Sequence, residues 1–442
     1  MYGVRSAFLD FIDDPFVVSP TESYRYLEDG LLIVEDGKIK AFGSYDHIRT
    51  DYPEIEIIDY SQRLIIPGFV DTHVHYPQTE IIASYGEQLL QWLEKYAFPG
   101  EERFKDPLHA REVAGFFFDE LARNGTTTAV VMTTVFPEST RVFFEEAQSR
   151  NIRAIAGQVM MDRNAPESLL DNPETAYHNN KDLIKEWHNR GRLCYTITPR
   201  FAITSTPEQL EVAGQLKREF PDVYVHTHLS ENQEELVTVS QLFPECKDYL
   251  EVYEKAGLVG DRSIFAHGIY LSNSEFKRLS EAGSAIAFCP TSNMFIGSGL
   301  FNLKEAKSPA HPIAVGLASD VGAGTSFSML KTMSAAYKVT QLQKQTLSPL
   351  PAFYLATLGG AKAIHLDSYI GNFQIGKESD FIVLNWQATP LMAFRHPQHS
   401  IESVEKLNEI LFSLMILGDD RSIDATYIGG NLAYRKPDYM TW

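Results

Sequence analysis

Cysteine is scarce, with only Cys194, Cys246 and Cys289 among 442 residues. They form no Cys-x-x-Cys pair and leave an odd count, so neither a disulfide framework nor a cysteine zinc site is favoured, and a reducing cytoplasm fits best. Basic side chains are also outnumbered, 39 against 58 acidic ones, for a formal net charge of −19. A field of that sign opposes phosphate backbones and anionic lipid surfaces, which argues against nucleic acid or a membrane as partner. Long apolar runs are missing as well. None approaches the roughly 18 residues of a membrane-spanning helix, and Met1–Asp10 lacks the apolar stretch of a signal peptide, so a soluble protein is expected. No Gly-x-Gly-x-x-Gly follows an early strand, and no tandem repeat or low-complexity segment is apparent.

What is present is a chain with 44% hydrophobic residues, enough to bury one large domain and a smaller one. The first 60 or so residues read as short strands: 30–34, a turn at Glu35-Asp36-Gly37, then 38–42 and 54–58. Asp-Gly between two such runs is a hairpin signal, because glycine accepts the positive φ of a tight turn. The pattern returns at 380–384 and at 426–434 around Gly429-Gly430. Neither piece alone has strands enough to bury a face, so the two termini are expected to meet in one small β domain.

Between them, apolar runs at 65–70, 127–132, 152–159, 193–197, 223–228, 263–267, 285–289 and 313–317 alternate with amphipathic stretches such as 107–123, 174–190 and 207–220. Eight strands with crossover segments are the number that closes a parallel barrel. The expected architecture is therefore α/β: a (β/α)8 TIM-like barrel over residues 67–372, with a small β-sandwich domain built from residues 1–66 and 373–442.

In such a barrel the reactive side chains sit at strand ends. The first run leads into Phe69-Val-Asp-Thr-His73-Val-His75, whose two imidazoles share one side of an extended strand. They make half a metal site, since zinc takes about four ligands from His, Cys and carboxylates at about 2 Å. The fifth run ends in His226-Thr-His228-Leu-Ser-Glu231, the sixth in Ala266-His267-Gly268, and the eighth is followed by Ser319-Asp320. Each has an ordinary explanation by itself: a buried histidine bonded to a carbonyl, a histidine in a turn, an aspartate capping a helix, a glutamate at a helix N-terminus. Their coincidence at the ends of four strands points to three histidines and a carboxylate around one metal, with His267 and Glu231 left for chemistry.

These segments, with Pro67-Gly68 and Cys289-Pro-Thr-Ser-Asn293, resemble the amidohydrolase superfamily in its single-metal deaminase branch. Tyr76-Pro-Gln78, Thr198-Pro-Arg-Phe201 and the stretches 85–93, 98–104, 161–164, 297–302, 355–361 and 417–421 are similar to the guanine-acting members of that branch, over most of the barrel and into the closing domain. The resemblance implies one Zn2+ per chain held by His73, His75, His228 and Asp320. It implies Glu231 as proton shuttle, with Asp320 and His267 at the reacting centre. Substrate contacts would come from Gln78, Arg200 and Phe201, from His228, Glu231 and His267 on the other side, and from Trp92 as a further wall. The implied reaction is hydrolytic deamination of guanine to xanthine and ammonia, in purine catabolism or salvage, by a cytoplasmic homodimer. Ser319 stands where the family has threonine, and it keeps the hydroxyl. Two alternatives stay open: another aminated heterocycle (a triazine such as ammeline, a pterin or cytosine), or a metal-free relative serving as a binding module. The same ligands also suit other divalent ions.

Overall fold

The computed structural model describes residues 1–437; positions 438–442, the end of the C-terminal segment assigned above to the small domain, lie outside the described residues. Four strands open the chain: β1 Tyr2–Phe11, β2 Tyr24–Glu35, β3 Lys38–Ser44 and β4 Ile57–Pro67. Nine follow: β5 Phe69–His75, β6 Thr126–Met132, β7 Arg153–Gly157, β8 Val159–Met160, β9 Leu193–Pro199, β10 Tyr224–Leu229, β11 Ser263–His267, β12 Ala285–Phe288 and β13 Ala314–Leu317. The last are β14 Phe381–Leu384, β15 Ile423–Ile428 and β16 Asn431–Arg435.

Both ends of the chain meet in one sheet, ordered β16-β15-β14-β4-β1-β2-β3. The sandwich expected from the sequence takes the form of this single continuous sheet. Alternation along β2 buries both of its faces: Leu32 and Val34 join a core with Phe8, Ile65 and Phe381, while Leu31 and Ile33 pack with Ile48. The two hairpins form where the sequence places them. Asp36 and Gly37 have φ of 51° and 76°, Gly429 and Gly430 of 53° and 72°, the positive pair that a two-residue hairpin turn requires. Strand β1 escaped the sequence reading, because Arg5 and Ser6 interrupt its apolar pattern. It is nonetheless central, antiparallel to β2 and parallel to β4, and Ser6 Oγ lies 2.8 and 2.7 Å from the carbonyl oxygens of Tyr60 and Arg63 at the bulge.

One boundary differs from expectation. The apolar run 64–67 belongs to β4 and pairs with β14, from Leu64↔Leu384 to Pro67↔Phe381. The barrel strand begins only at Phe69, so His73 and His75 lie within β5 rather than beyond its end. The chain changes sheets at Gly68, where a Cβ would stand 2.2 Å from Thr127 Oγ1. Only a residue without a side chain passes that close.

The barrel strands run β5-β6-β7-β9-β10-β11-β12-β13, with the short β8 beside β9. Successive pairs from β7 to β13 are parallel, and the strands are buried along their length, as expected of a sheet covered on both faces. The ring is nearly closed by hydrogen bonds from the segment after β13 back to β5: Asp320 N donates to His73 O and His75 N to Val321 O, both at 3.0 Å. Helices Pro107–Arg123, Pro137–Ser149, Pro173–Trp187 and Pro207–Glu219 cover the first half, each opening on a proline, whose fixed φ and missing N–H suit a first turn. Capping boxes at Asn232 and Ser272 start Gln233–Leu242 and Asn273–Ala282.

Contacts define two compact units. One comprises Met1–Val70, Asp119–Thr128 and the chain from Ser328 onward, and the other Asp71–Phe118 and Ala129–Phe327. Every residue of the site described next belongs to the second. No helix among the described residues is long and apolar enough to cross a membrane.

Candidate active site

Histidines from three strands and one aspartate converge at the C-terminal end of the barrel. His73 Nε2 lies 3.1 Å and His75 Nε2 3.5 Å from Asp320 Oδ1, and His75 Nε2 lies 3.3 Å from His228 Nε2. Two donors about 2.1 Å from a tetrahedral ion are roughly 3.4 Å apart, so these are the spacings of ligands around a shared centre. His73 Nε2, despite its approach to Asp320, and His75 Nδ1 are buried without a hydrogen-bond partner. Of these two, His73 Nε2 faces the cluster; a bare ring nitrogen is costly in a dry interior, and a divalent cation among the donors removes that cost. The donor set fits a metal.

Outer partners fix which nitrogen faces the centre. His228 Nδ1 lies 2.7 Å from the Arg200 carbonyl, which can only accept, so the proton sits there and the Nε2 lone pair points inward. His267 Nδ1 is held 2.8 Å from Asn293 Oδ1, and its Nε2 faces carboxylates instead: against burial, Glu231 and then Asp320 raise its hold on a second proton. Burial, followed by the neighbouring imidazoles, drives His75, His226 and His228 well below the usual histidine range. Burial lowers His73 too, against the pull of Asp320. Asp320 goes the other way: burial opposes its charge, but His73 and His267 outweigh it and hold the carboxyl below its ordinary value. Neutral imidazoles around an ionised carboxylate are what a divalent ion binds.

The turns after the strands do the aiming. Ser230, His267 and Asp320 adopt left-handed backbone, with φ of 50°, 74° and 51°, a conformation costing such residues about 1–3 kcal/mol. The carboxylate of Asp71 helps hold the last of these turns. It accepts from Ser319 N at 3.0 Å, from the Ser319 hydroxyl, and from His73 N at 3.3 Å, tying the Asp320 turn to β5. The hydroxyl at position 319 is thus used for this bond.

Beside the cluster opens a pocket enclosing about 380 Å³ of space between atoms, part of it continuous with solvent. Of the residues singled out by sequence, Gln78, Trp92, Arg200, Phe201, His75, His228, Glu231, His267 and Asp320 all line it, and His73 stands behind them. Glu231 Oε2 is 3.4 Å from His267 Nε2, and its Oε1 accepts from Ser298 Oγ at 3.0 Å. Burial pushes the Glu231 carboxyl up to about 7, against the nearby His267, so near neutrality it can both hold and release a proton. Asp71, Glu101, His226, Asn293 and Ser298 went unassigned in the sequence reading. All five lie inside the segments singled out there, but nothing in their spacing says what they face.

Fold and donor chemistry together define the class: a metal-dependent hydrolase on a (β/α)8 barrel. Residues 64–433 match the amidohydrolase family. Over 438 residues the chain is 52% identical to guanine deaminase of Escherichia coli K12, covering 98% of each chain. The crystal structure of guanine deaminase from Bradyrhizobium japonicum superposes with a TM-score of 0.95 at 42% identity, covering 99% of each chain. That from C. acetobutylicum, with guanine bound in its active site, superposes with a TM-score of 0.88 at 29% identity, covering 98% of this chain and all of that one. This chain belongs to the amidohydrolase family and, within it, to the guanine deaminases.

Proposed function

We propose that this chain converts guanine and water to xanthine and ammonia, using one Zn2+ held by His73, His75, His228 and Asp320. One observation carries the reading: a single pocket is lined both by the imidazoles and Asp320 of the cluster and by the donor-bearing Arg200 and Gln78. A ring placed between them has its carbonyl edge on donors and its C2 amine toward the metal ligands. Bound there, the metal supplies acidified water, lowering its pKa from about 15.7 to about 7.

The protein groups manage the remaining protons. Asp320 accepts the proton that water gives up as its oxygen bonds to C2. Glu231, protonated, donates to the ring nitrogen beside C2, so that negative charge does not accumulate on the ring. Asp320 then passes its proton to the exocyclic nitrogen, the C–N bond breaks with its electron pair leaving on ammonia, and the C2 hydroxyl returns a proton to Glu231 as the carbonyl forms. His267, 3.4 Å from Glu231 Oε2 and 3.9 Å from Asp320 Oδ2, stands between the two carboxylates and orients the reacting atoms. Phe201 and Trp92 supply the faces of the slot. An amine in place of the ring carbonyl would leave buried donors unpaired, at about 1–3 kcal/mol each, which supports selection of an oxopurine. The reading extends to a homodimeric, cytoplasmic enzyme of purine catabolism or salvage, with residues 67–372 as its catalytic domain.

The test follows guanine-to-xanthine absorbance before and after chelation, alongside ammeline, a pterin and cytosine, with metal analysis of the purified protein. Expected are one zinc per chain and guanine turnover that chelation abolishes and zinc restores. Turnover of another heterocycle in preference to guanine would overturn the substrate, and activity indifferent to chelation would overturn the metal.

A further inference from the structure

Behind the substrate-facing wall lies a carboxylate that the ligand would not touch. Glu101, near the end of the short helix Phe98–Glu102, is 1% exposed and is not among the pocket's lining residues. Both of its oxygens accept from Arg200 Nη1, at 2.8 and 2.7 Å, and Oε1 also accepts from Gln78 Nε2 at 3.0 Å. Gln78 Oε1 in turn accepts from the Gly322 N–H at 3.2 Å. The Arg200 guanidinium stands over the Phe98 ring, 5.5 Å from its centre.

This arrangement decides what the wall can offer. A glutamine amide has two orientations that differ only in which end donates, and its surroundings choose between them. Here a carboxylate that only accepts faces one end and a backbone N–H that only donates faces the other. The Gln78 NH2 group is therefore turned to Glu101, with its second N–H left over. Arg200 carries five N–H donors and no acceptor, and its charge, costly in a buried wall, is balanced by the same carboxylate. With the Gln78 oxygen taken by Gly322, the wall presents donors.

We propose that Glu101 is a positioning residue that sets specificity: by clamping Arg200 and Gln78 together, it makes the far wall a donor edge that admits a ring carbonyl and refuses an exocyclic amine. The inference rests on the guanine reading for the ligand's orientation. The clamp also anchors part of the wall itself, since Glu101 and Trp92 ride on one segment, in which a π-helical turn over Leu93–Ala97 links Leu89–Trp92 to Phe98–Glu102.

The test compares guanine with 2,6-diaminopurine, which keeps the amine at C2 and replaces the ring carbonyl by a second amine. In Glu101→Gln, KM for guanine should rise about 10–100-fold, the loss expected when charge-assisted bonds are removed, with kcat changed far less and metal content unchanged. The preference for guanine over diaminopurine, read as the ratio of KM or inhibition constants, should fall at least about tenfold. A merely structural role would weaken both compounds in proportion, and an unchanged ratio in folded Glu101→Gln overturns the proposal. If that variant does not fold, Glu101→Asp decides: a ratio several-fold below wild type supports the clamp, and a wild-type ratio overturns it. Wild-type protein inert toward guanine would sink the parent reading; active wild type with an unchanged ratio in the variant sinks this one alone.

Discussion

His226 Nε2 lies 2.7 Å from His73 Nδ1, one imidazole standing directly behind another with their planes at 80°. If His73 offers Nε2 to a metal, its proton is on Nδ1 and His226 is the acceptor. His226 then carries its own proton on Nδ1, which is buried without a partner. A lone buried donor is tolerated where it fixes the orientation of something in front of it, and outer partners of this kind are worth about 10–100-fold in metal affinity. His226→Leu should therefore lose metal about 10–100-fold more readily in dialysis against a graded chelator series, while His226→Gln, which keeps an acceptor, loses less. Retention equal to wild type in the leucine variant would remove His226 from the ligand system.

Removal of the Glu231 carboxyl tests the proton route separately from the metal. Glu231→Gln should keep its metal and lower kcat about 10²–10⁴-fold, the usual share of a placed acid–base group. Near-normal turnover would assign the proton transfers elsewhere.

The position of the Glu231 carboxyl, pushed up to about 7 by burial, sets a pH dependence with a definite sign. The donor form exists below that value and disappears above it, so kcat/KM should fall on the alkaline side with a midpoint near 7. This limb should be missing from the residual activity of Glu231→Gln. Stability has the same sign. The folded state holds this proton above the ordinary carboxyl range of about 4.3, so the contribution is complete at acid pH and is lost as pH rises from there through about 7. Denaturant midpoints of wild type minus those of Glu231→Gln should decline over that window.

Truncation of Arg200 leaves Glu101 buried beside a void. Breaking such a pair from one side costs about 3–5 kcal/mol, because the remaining charge is uncompensated. Arg200→Ala should unfold at clearly lower denaturant, lose most guanine turnover, and still bind metal, since the bond that orients His228 comes from the Arg200 backbone carbonyl. Full guanine activity would place Arg200 outside the site.

Gly157, in β7, is a packing test of the barrel. A Cβ there would stand 1.7 Å from the Thr196 carbonyl oxygen, a backbone atom that cannot step aside. Gly157→Ala should lose about 3 kcal/mol or more, or fail to fold, as overpacking against a fixed neighbour does. A denaturation midpoint within error of wild type would mean that β7 and β9 part easily.

Local constraints wrote much of this molecule into its sequence. The helices Pro107–Arg123 and Pro207–Glu219 fall where apolar periodicity sets them, and the hairpins turn at Asp36-Gly37 and Gly429-Gly430, which take up positive φ. His73 and His75 share a side because strands alternate. Such features depend on a few consecutive residues and an inside and an outside, which the order of polar and apolar side chains records. Tertiary structure alone decided the partners of buried polar groups. Glu101 meets Arg200 across 99 residues of chain and His73 meets His226 across 153, distances over which no periodicity carries information. The division of the run at 64–70 between two sheets has the same origin: only the assembled neighbours, Leu384 on one side and Thr127 on the other, determine that the chain must cross at Gly68. The sequence determined which donors reach the barrel's end, and closure of the ring determined which nitrogen each presents and where its proton resides.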